Sequence, residues 1–148
     1  MGRGRSNWMQ RQRSDKYYQK SKREGHRARS YYKLKQIDEK YNILKLIQKQ
    51  PAKILDLGAA PGAWLEYIKE RYNDNWALND IPRNHVIGVD LNTIQSFPDA
   101  PYISTQRMNI FKGKFKRFLQ EKSKFDIFLS DLSPKTAGDN RDIAIQAS

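Results

Sequence analysis

The chain has 148 residues, enough for one domain with a buried core, and 38% of them are hydrophobic while 30% are charged. It contains no cysteine, which excludes disulfides and thiolate metal sites, and its two histidines, His26 and His85, lie in different segments, so we expect no metal site. The net charge is +12, and residues 1–50 hold 15 lysines and arginines against 4 acidic residues, so nearly all of the excess lies in the first third.

This charge asymmetry favours nucleic acid as the partner of a basic amino-terminal arm. The alternative is a solvated tail that binds nothing specific. No apolar run has the length of a membrane helix and no secretory signal is visible, so we expect no membrane partner and an intracellular location. That location is the cytoplasm, or the mitochondrion in a eukaryote, because an arginine-rich start also fits an organelle presequence.

The first segment, residues 1–28, is predicted to be a basic flexible arm that contains a short helix over residues 15–24. Its first 14 residues are rich in Arg, Gln and Ser and show no periodicity. Trp8, Tyr17 and Tyr18 lie among the basic residues, where their rings are able to stack on unpaired bases. The remaining residues, 29–148, are predicted to form one domain.

That domain begins with a predicted amphipathic helix, because apolar residues recur at helical spacing: Tyr31, Leu34, Ile37, Tyr41 and Leu44. After Pro51 the period changes. Residues 53–57 are predicted as a strand, residues 58–62 as a tight turn and residues 64–72 as a helix. A strand, a turn of small residues and a helix, in this order, open a Rossmann-like unit.

The rest of the chain continues the alternation. A polar loop is predicted over 73–84, strands over 86–90, 101–105 and 125–131, and a basic helix over 113–122 with Phe115, Phe118 and Leu119 turned inward. A loop over 132–141 and a helix from about Asp142 follow. Alternating strands and helices predict an α/β fold with a mostly parallel sheet of about four strands. The last strand then has a bare edge, which risks aggregation.

Three sets of residues fall at the carboxyl ends of predicted strands, where open α/β sheets bind ligands. Gly58 and Gly62 let the backbone approach a ligand, although many parallel sheets need glycine at this bend. Asp90 is placed to accept hydrogen bonds from the ribose hydroxyls of a nucleoside cofactor, or it is an ordinary strand-end acid. Asp131 is placed to hold a cationic group, or it forms a turn. These residues do not separate a dinucleotide from S-adenosylmethionine.

Taken in order, the motifs carry a family resemblance. The segments DLGAAPGAW at 56–64, GVDL at 88–91 and SDLSP at 130–134 are similar to those of the FtsJ/RrmJ ribosomal RNA 2′-O-methyltransferases. Upstream, SDKY at 14–17 and ARSYYKL at 28–34 resemble the family's amino-terminal segment. The resemblance covers roughly residues 7–148 and is strongest to the bacterial and mitochondrial members that modify a uridine of large-subunit ribosomal RNA.

The resemblance implies a Rossmann-like methyltransferase fold, S-adenosyl-L-methionine as cofactor and RNA as partner. It places Gly62 and Trp64 around the methionine part of the cofactor, and Gly58, in the turn after the first strand, is expected to bind the cofactor too. It also places Asp90 at the ribose and Asn109 at the adenine. Asp131 lies near the cofactor and, with Lys33, belongs to the family's Lys-Asp-Lys-Glu catalytic set. Lys33 falls at the border of the apolar stripe of its helix, so a half-buried amine is expected.

The chain departs from the family pattern in three ways. Ala63 replaces a common second glycine, and Asn109 stands where aspartate is usual. The family's second lysine, usually assigned as general base, and its glutamate lie further along than Ser148. We therefore expect a C-terminally truncated chain that is inactive or very weak by itself, from a protein that is a monomer at full length.

Two other functions remain open on the sequence. The first is a catalytically inactive RNA-binding module on the same fold, kept for its basic face. The second is a nucleotide-dependent oxidoreductase, which the glycine turn and Asp90 alone would allow. The oxidoreductase leaves the basic first third and the SDLSP motif unexplained.

Overall fold

A single five-stranded sheet organises the chain. The computed structural model describes residues 15–122 and 124–131 and the backbone of residues 144–146. The strands are β1 (Ile54–Leu57), β2 (Val86–Asp90), β3 (Ile103–Arg107), β4 (Ile127–Ser130) and β5 (Ala144–Gln146). Their order is β3-β2-β1-β4-β5, with parallel pairing except between β4 and β5. The chain runs outward from β1 to β3 and then returns to the other side of β1, so the carboxyl ends of β1 and β4 flank the switch point.

Helices cover both faces of the sheet. They are α1 (Lys16–Glu24), α2 (Ser30–Tyr41), α3 (Leu46–Lys49), α4 (Ala63–Asn75) and α5 (Gly113–Glu121). Side chains of α2, α3 and α4 form the larger buried cluster with Ile54 and Val86, while α5 packs on the other face against Leu55 and Ile87. No helix in the described part of the chain is long and apolar enough to cross a membrane. The Rossmann-like, mostly parallel α/β fold expected from the sequence is confirmed.

The short basic helix predicted near the amino terminus forms and is capped at both ends. Asp15 Oδ1 accepts hydrogen bonds from the backbone N–H groups of Tyr17 and Tyr18, at 2.8 and 3.2 Å. Gly25 ends the helix in the left-handed region, at φ 77°. The Tyr17 ring lies 5.7 Å from the Tyr32 ring, so α1 packs on α2. The domain boundary at residue 28 stays a prediction, and Trp8 lies outside the described residues.

The helix predicted from Tyr31 is shorter than its apolar pattern. It ends at Tyr41, which is 66% exposed, because Asn42 adopts a left-handed conformation at φ 52°. Leu44 is buried as its place in the pattern requires, but it lies in the turn that follows the helix. The buried carboxylate of Asp38 accepts the Leu44 N–H and so closes this turn over the core.

Three further predictions are corrected between residues 73 and 121. In α5 the rings of Phe115 and Phe118 are buried, whereas Leu119 is 36% exposed because it lies at the edge of the packed face. The third strand begins two residues later than predicted, at Ile103. Part of the predicted 73–84 loop is also ordered: α4 extends to Asn75, and a 3-10 turn covers Leu78–Asp80.

The helix expected from about Asp142 is wrong for the residues that the structure describes there. Ala144–Gln146 is a strand, antiparallel to β4, with Phe128 opposite Ile145. This pairing satisfies backbone groups along the outer edge of β4, a gain that a short helix at this position would not provide. The edge predicted to be bare is therefore paired, and the sheet has five strands instead of four. Asp142 itself lies outside the described residues.

Candidate active site

A small pocket opens at the carboxyl edge of the sheet, where β1 and β4 end. We call it the carboxyl-edge pocket, and its lining residues are Ser30, Asp56, Gly58, Ala59, Ala60, Ala63, Trp64 and Asp131. They come from β1 and the turn after it, from the first residues of α2 and α4, and from the residue after β4. Ligands of open parallel sheets bind at this kind of switch point.

The turn after β1 is held by backbone constraints that explain both predicted glycines. Gly58 has φ 70° and Gly62 has φ 109°, values that side chains other than glycine rarely adopt. At Gly62 a Cβ would also lie 2.6 Å from the Arg27 Nη1 atom. The N–H groups of Gly58 and Ala59 both donate to the Val89 carbonyl. Each glycine is thus required by the turn itself, and its contact with a ligand stays a prediction.

Asp90 ties the end of β2 to this turn. Its Oδ2 accepts the Ala60 N–H at 2.9 Å, and its Oδ1 accepts the Asn92 N–H at 2.8 Å. Each carboxylate oxygen has a second lone pair, so a pair of ribose hydroxyls still finds acceptors here. Asp90 therefore supports the turn after β1, and its contact with a ribose stays a prediction.

The structure brings Lys33 and Asp131 together, although they are 98 positions apart in the chain. Lys33 Nζ lies 3.4 Å from Asp131 Oδ1, and the two side chains are 31% and 26% exposed. Burial raises the pKa of Asp131 above its ordinary value, and Lys33 opposes that rise. The amine is half-buried, as expected from its place on the helix. Asp131 lines the carboxyl-edge pocket, so the ion pair lies beside that pocket.

Trp64 and Asn109 occupy different surroundings. The Trp64 side chain is 3% exposed, and its Nε1–H donates to the Ser30 carbonyl at 2.9 Å, which fixes α4 against α2 beside the pocket. Asn109 follows β3, and its Oδ1 accepts the Phe111 N–H at 2.9 Å. The Asn109 oxygen that was expected to accept a hydrogen bond from an adenine therefore already accepts one within the turn before α5. The cofactor roles of both residues stay predictions.

Asp56 is a site residue to which the sequence analysis gave no role. It lines the carboxyl-edge pocket, is fully buried within β1, and neither of its carboxyl oxygens has a hydrogen-bond partner among the described residues. Burial raises the pKa of Asp56 well above its usual value, and repulsion from Asp131 and Asp90 raises it further. An acid between two leucines in a strand was the available signal, since buried acids are rare without a partner.

Arg27 is a second residue that the sequence analysis missed. Its guanidinium donates to the carbonyls of Pro61, Gln95 and Ser96, at 3.0, 2.6 and 3.1 Å, and stacks on Phe97 at 3.8 Å. It therefore joins the turn after β1 to the loop after β2. Since Arg27 belongs to the basic amino-terminal segment, that segment contacts the loops at the carboxyl edge of the sheet.

A larger groove lies beside the pocket, between α1 and the start of α2. We call it the basic groove, and its lining residues are Tyr18, Ser21, Lys22, Gly25, His26, Arg27, Ala28, Arg29 and Ser30. None of these described lining residues is acidic. Ser30 borders both the groove and the carboxyl-edge pocket. A polyanion in the groove would thus approach Lys33, which lies one helical turn beyond Ser30.

One group of side chains in this region has the residue types of a cation site. Atoms of His26, Glu66 and Glu70 lie within 4.8 Å of one another. The same side chains already bond to each other and to the protein: His26 Nδ1 lies 2.6 Å from Glu66 Oε2, and Tyr31 Oη donates to Glu70 at 2.5 Å. Glu66 Oε1 also accepts the Arg27 N–H at 3.0 Å. We interpret this group as the anchor of the amino-terminal segment on α4.

The chain was compared with known protein families, with curated proteins and with solved structures. Residues 26–147 match the model of the FtsJ-like methyltransferase family. Over 127 residues the chain is 38% identical to ribosomal RNA large subunit methyltransferase E of Oleidesulfovibrio alaskensis, covering 84% of this chain and 55% of that protein. Over 134 residues it is 31% identical to the Ehrlichia chaffeensis protein of the same name, covering 90% and 58%. The chain thus spans little more than half the length of these relatives.

A solved structure is also similar. A ribosomal RNA methyltransferase from Plasmodium falciparum superposes with a TM-score of 0.50 at 33% identity, covering 77% of this chain and 60% of that one. The family match covers most of the chain, includes α2, the turn after β1 and Asp131, and agrees with the switch-point pocket. The chain belongs to the FtsJ-like methyltransferase family.

Proposed function

We propose that the protein transfers a methyl group from S-adenosyl-L-methionine to a ribose 2′-hydroxyl of RNA, with a uridine of large-subunit ribosomal RNA as the target. The observation that carries this proposal is the pairing of Lys33 with Asp131 beside the carboxyl-edge pocket, next to a groove lined by cations. Relatives named as large-subunit ribosomal RNA methyltransferases support the RNA class.

The residues at the carboxyl edge fit this cofactor chemically. The cofactor carries a sulfonium and an ammonium, and the pocket is lined by Asp56 and Asp131 and by no basic residue among those described. Asp90 retains acceptor capacity for the ribose hydroxyls. The first amides of α4 point toward the turn, where they are able to bind the carboxylate of the amino-acid part. When bound, the cofactor supplies an electrophilic methyl group on sulfur.

The chain's own residues would act on the ribose. In the proposed reaction the 2′-oxygen attacks the methyl carbon in line, the carbon–sulfur bond breaks, and the hydroxyl proton passes to a base. Lys33 would place a positive charge beside the developing oxyanion, and Asp131 would hold the amine in position. The resemblance assigns the base to a second lysine, further along the family's sequence.

The basic groove is the proposed binding site for the RNA. Seven lysines and arginines stand against two acids between residues 15 and 33. Tyr18 lines the groove beside Lys22 and offers a ring for stacking on an unpaired base. Because the proposed substrate is ribosomal RNA, we place the protein inside the cell, in the cytoplasm or, in a eukaryotic host, the mitochondrion, and expect a monomer.

Of the other two functions, neither gains support. A catalytically inactive RNA-binding module has no use for a lysine paired with an aspartate at the ligand pocket, and an oxidoreductase has no use for the basic groove. The test is transfer of tritium from methyl-labelled S-adenosylmethionine to ribosomal RNA by the full-length natural protein. We expect label in large-subunit RNA. Tight RNA binding without any label would support the inactive module and overturn the proposal.

A further inference from the structure

Two tryptophans of α4 make the same kind of contact at opposite ends of that helix. Trp64, in its first turn, donates its Nε1–H to the Ser30 carbonyl at 2.9 Å. Trp76, which caps the carboxyl end, donates its Nε1–H to the Ile47 carbonyl at 2.5 Å. The N–H of a largely buried indole normally finds an acceptor, so such a contact indicates no function by itself. The two contacts differ in what lies next to the accepting carbonyl.

The Ser30 carbonyl lies at the start of the helix that carries Lys33. Ser30 is the first residue of α2, and Lys33 follows it by about one helical turn. Ser30, Trp64 and Asp131 also line the carboxyl-edge pocket together. Ile47, by contrast, belongs to the short helix α3. The bond from Trp64 therefore fixes the main chain next to the lysine of the proposed reaction, and the bond at the other end of α4 does not.

The pairing of Lys33 with Asp131 depends on where α2 begins. Lys33 Nζ lies 3.4 Å from Asp131 Oδ1, which is close to the longest distance of a hydrogen bond. A displacement of the first turn of α2 by about 0.5 Å away from β4 would take the two atoms beyond that distance. Misplacement of a reacting group by about 1 Å lowers turnover by about 10²-fold, so the place of this turn matters for catalysis.

The Trp64 side chain is suited to hold that turn. Its ring is buried in the larger core cluster, and its one polar hydrogen is already accepted by Ser30. Because the acceptor is a main-chain oxygen, the bond fixes the helix itself and not the rotamer of another side chain. A second bond from α2 to α4 supports the same turn, since Tyr31 Oη donates to Glu70 Oε2 at 2.5 Å. Loss of the Trp64 bond should therefore shift the turn without releasing the helix.

We propose that Trp64 is a positioning residue for the reaction: its indole N–H, through the Ser30 carbonyl, holds the first turn of α2 where Lys33 meets Asp131. The side chain acts through Lys33, and its polar atom contacts neither the substrate nor the cofactor. The family resemblance, by contrast, places the residue around the methionine part of the cofactor. This inference rests on the proposed function, because the position of Lys33 affects turnover only if that amine lies beside the reacting hydroxyl.

The test is a double-mutant cycle on methyl transfer to ribosomal RNA by the full-length protein. Trp64→Phe removes the N–H and keeps an aromatic ring, so the single-turnover rate at saturating cofactor and RNA should fall by about 10- to 100-fold. In a Lys33→Met background the same change should alter the rate by no more than about twofold, because the amine through which Trp64 acts is already gone. The dissociation constant for S-adenosylmethionine should stay within about twofold of the parent's value.

Trp76→Phe is the matched control, because it makes the same chemical change at the other end of α4. Its rate and its cofactor affinity should equal those of the parent. Replacement of Trp64 by 3-benzothienylalanine, which has sulfur in place of the N–H and nearly the same shape, should act like Trp64→Phe without leaving a cavity. Weaker cofactor binding with an unchanged saturated rate, or an equal loss in both backgrounds, would overturn the role of Trp64 and leave the proposed function standing. Absence of methyl transfer by the parent would overturn the proposed function.

A second readout needs neither ligand nor turnover. Burial raises the pKa of Asp131 and Lys33 opposes that rise, so withdrawal of the amine should raise the pKa further. Carbon-13 NMR titration of the Asp131 carboxyl group should therefore give a higher pKa in Trp64→Phe than in the parent, and the parent's pKa in Trp76→Phe. The same Asp131 pKa in all three proteins would show that the pair does not depend on the Trp64 bond, whatever the activity of the parent.

Discussion

The basic groove and the carboxyl-edge pocket are neighbours with different linings, basic side chains in the groove and acidic side chains in the pocket. Lys22, Arg27 and Arg29 line the groove, whereas Asp56 and Asp131 line the pocket. Ser30 belongs to both. The groove is suited to phosphates and the pocket to a cation, so the two ligands proposed here cannot exchange places. Lys33 and Asp131 face each other near this boundary, and a methyl group would cross it during the reaction.

The largest effect is expected where the two sites meet. Lys33→Met removes the amine that lies 3.4 Å from Asp131 Oδ1. Turnover should fall by about 10²–10⁴-fold, in the range seen when a proton-transfer or charge-stabilising group is lost. Cofactor affinity should change little, because the amine is proposed to face the reacting hydroxyl. Steady-state kinetics and calorimetry on the full-length protein separate the two quantities.

Lys40→Met is the control for that variant, since Lys40 is an exposed lysine near the far end of the same helix. Its turnover should match that of the parent. Equal turnover in Lys33→Met and the parent would show that the pairing with Asp131 is only an ion pair between α2 and the end of β4.

A second effect is expected beside the pocket, at the end of β2. Asp90→Ala removes acceptors for the ribose and also the bond to the Ala60 N–H. Charge-assisted hydrogen bonds contribute roughly 1.5–3 kcal/mol each, so cofactor affinity should fall by about tenfold or more. Affinity for RNA should be unaffected, because Asp90 does not line the groove. Calorimetry with S-adenosylmethionine decides the point, and an unchanged dissociation constant would make Asp90 a structural acid.

The groove is tested by salt dependence. Lys22 lines the groove, and Lys20 and Arg23 are its neighbours on α1. Replacing all three by Gln should flatten the log–log salt dependence of RNA binding by about 2, at roughly 0.7 per phosphate contact on a single strand. The matched control replaces three exposed cations of α5, on the other face of the sheet: Lys114, Lys116 and Arg117. Filter binding across a salt series should give the parent's slope for the control. Equal slopes for all three proteins would remove α1, and with it this side of the groove, from the RNA interface.

The smallest effect concerns the contact between the two regions. Arg27→Met removes the three hydrogen bonds to the carbonyls of Pro61, Gln95 and Ser96. The guanidinium is partly exposed, which screens these bonds, so we expect about a tenfold loss of cofactor affinity at most. Arg27→Lys should restore part of it, since an ammonium reaches fewer of the three carbonyls. A loss of RNA affinity with no change in cofactor affinity would limit Arg27 to the groove.

The regular elements were predictable where local pattern and burial agree. The strand–turn–helix unit at 54–75 and the apolar strand before Asp131 have periodicities that tertiary packing reinforces. The misses occur where packing competes with pattern. Tyr41 continues the apolar stripe of α2 but follows the last buried turn, and residues 144–146 form a strand because the edge of β4 offers backbone partners.

The site was predictable only in part, for a similar reason. Glycines and strand-end acids carry local signals, and the family resemblance linked Lys33 to Asp131 across most of the chain. Arg27 carries no comparable local signal, and the signal at Asp56, an acid between two leucines, does not show what its carboxyl group contacts. An arginine in a basic segment is expected to be solvated, and only the fold shows that Arg27 donates to three carbonyls. Only the structure shows that the carboxyl group of Asp56 has no hydrogen-bond partner among the described residues.

The position of the transferred methyl group tests the central claim most directly. Ribosomal RNA labelled by the full-length protein is digested with alkali, which cleaves after every nucleotide that has a free 2′-hydroxyl. A ribose methylated at that oxygen resists cleavage, so the account predicts that tritium is recovered in an alkali-resistant dinucleotide. Label recovered in single nucleotides, with the methyl group on the base, would contradict it.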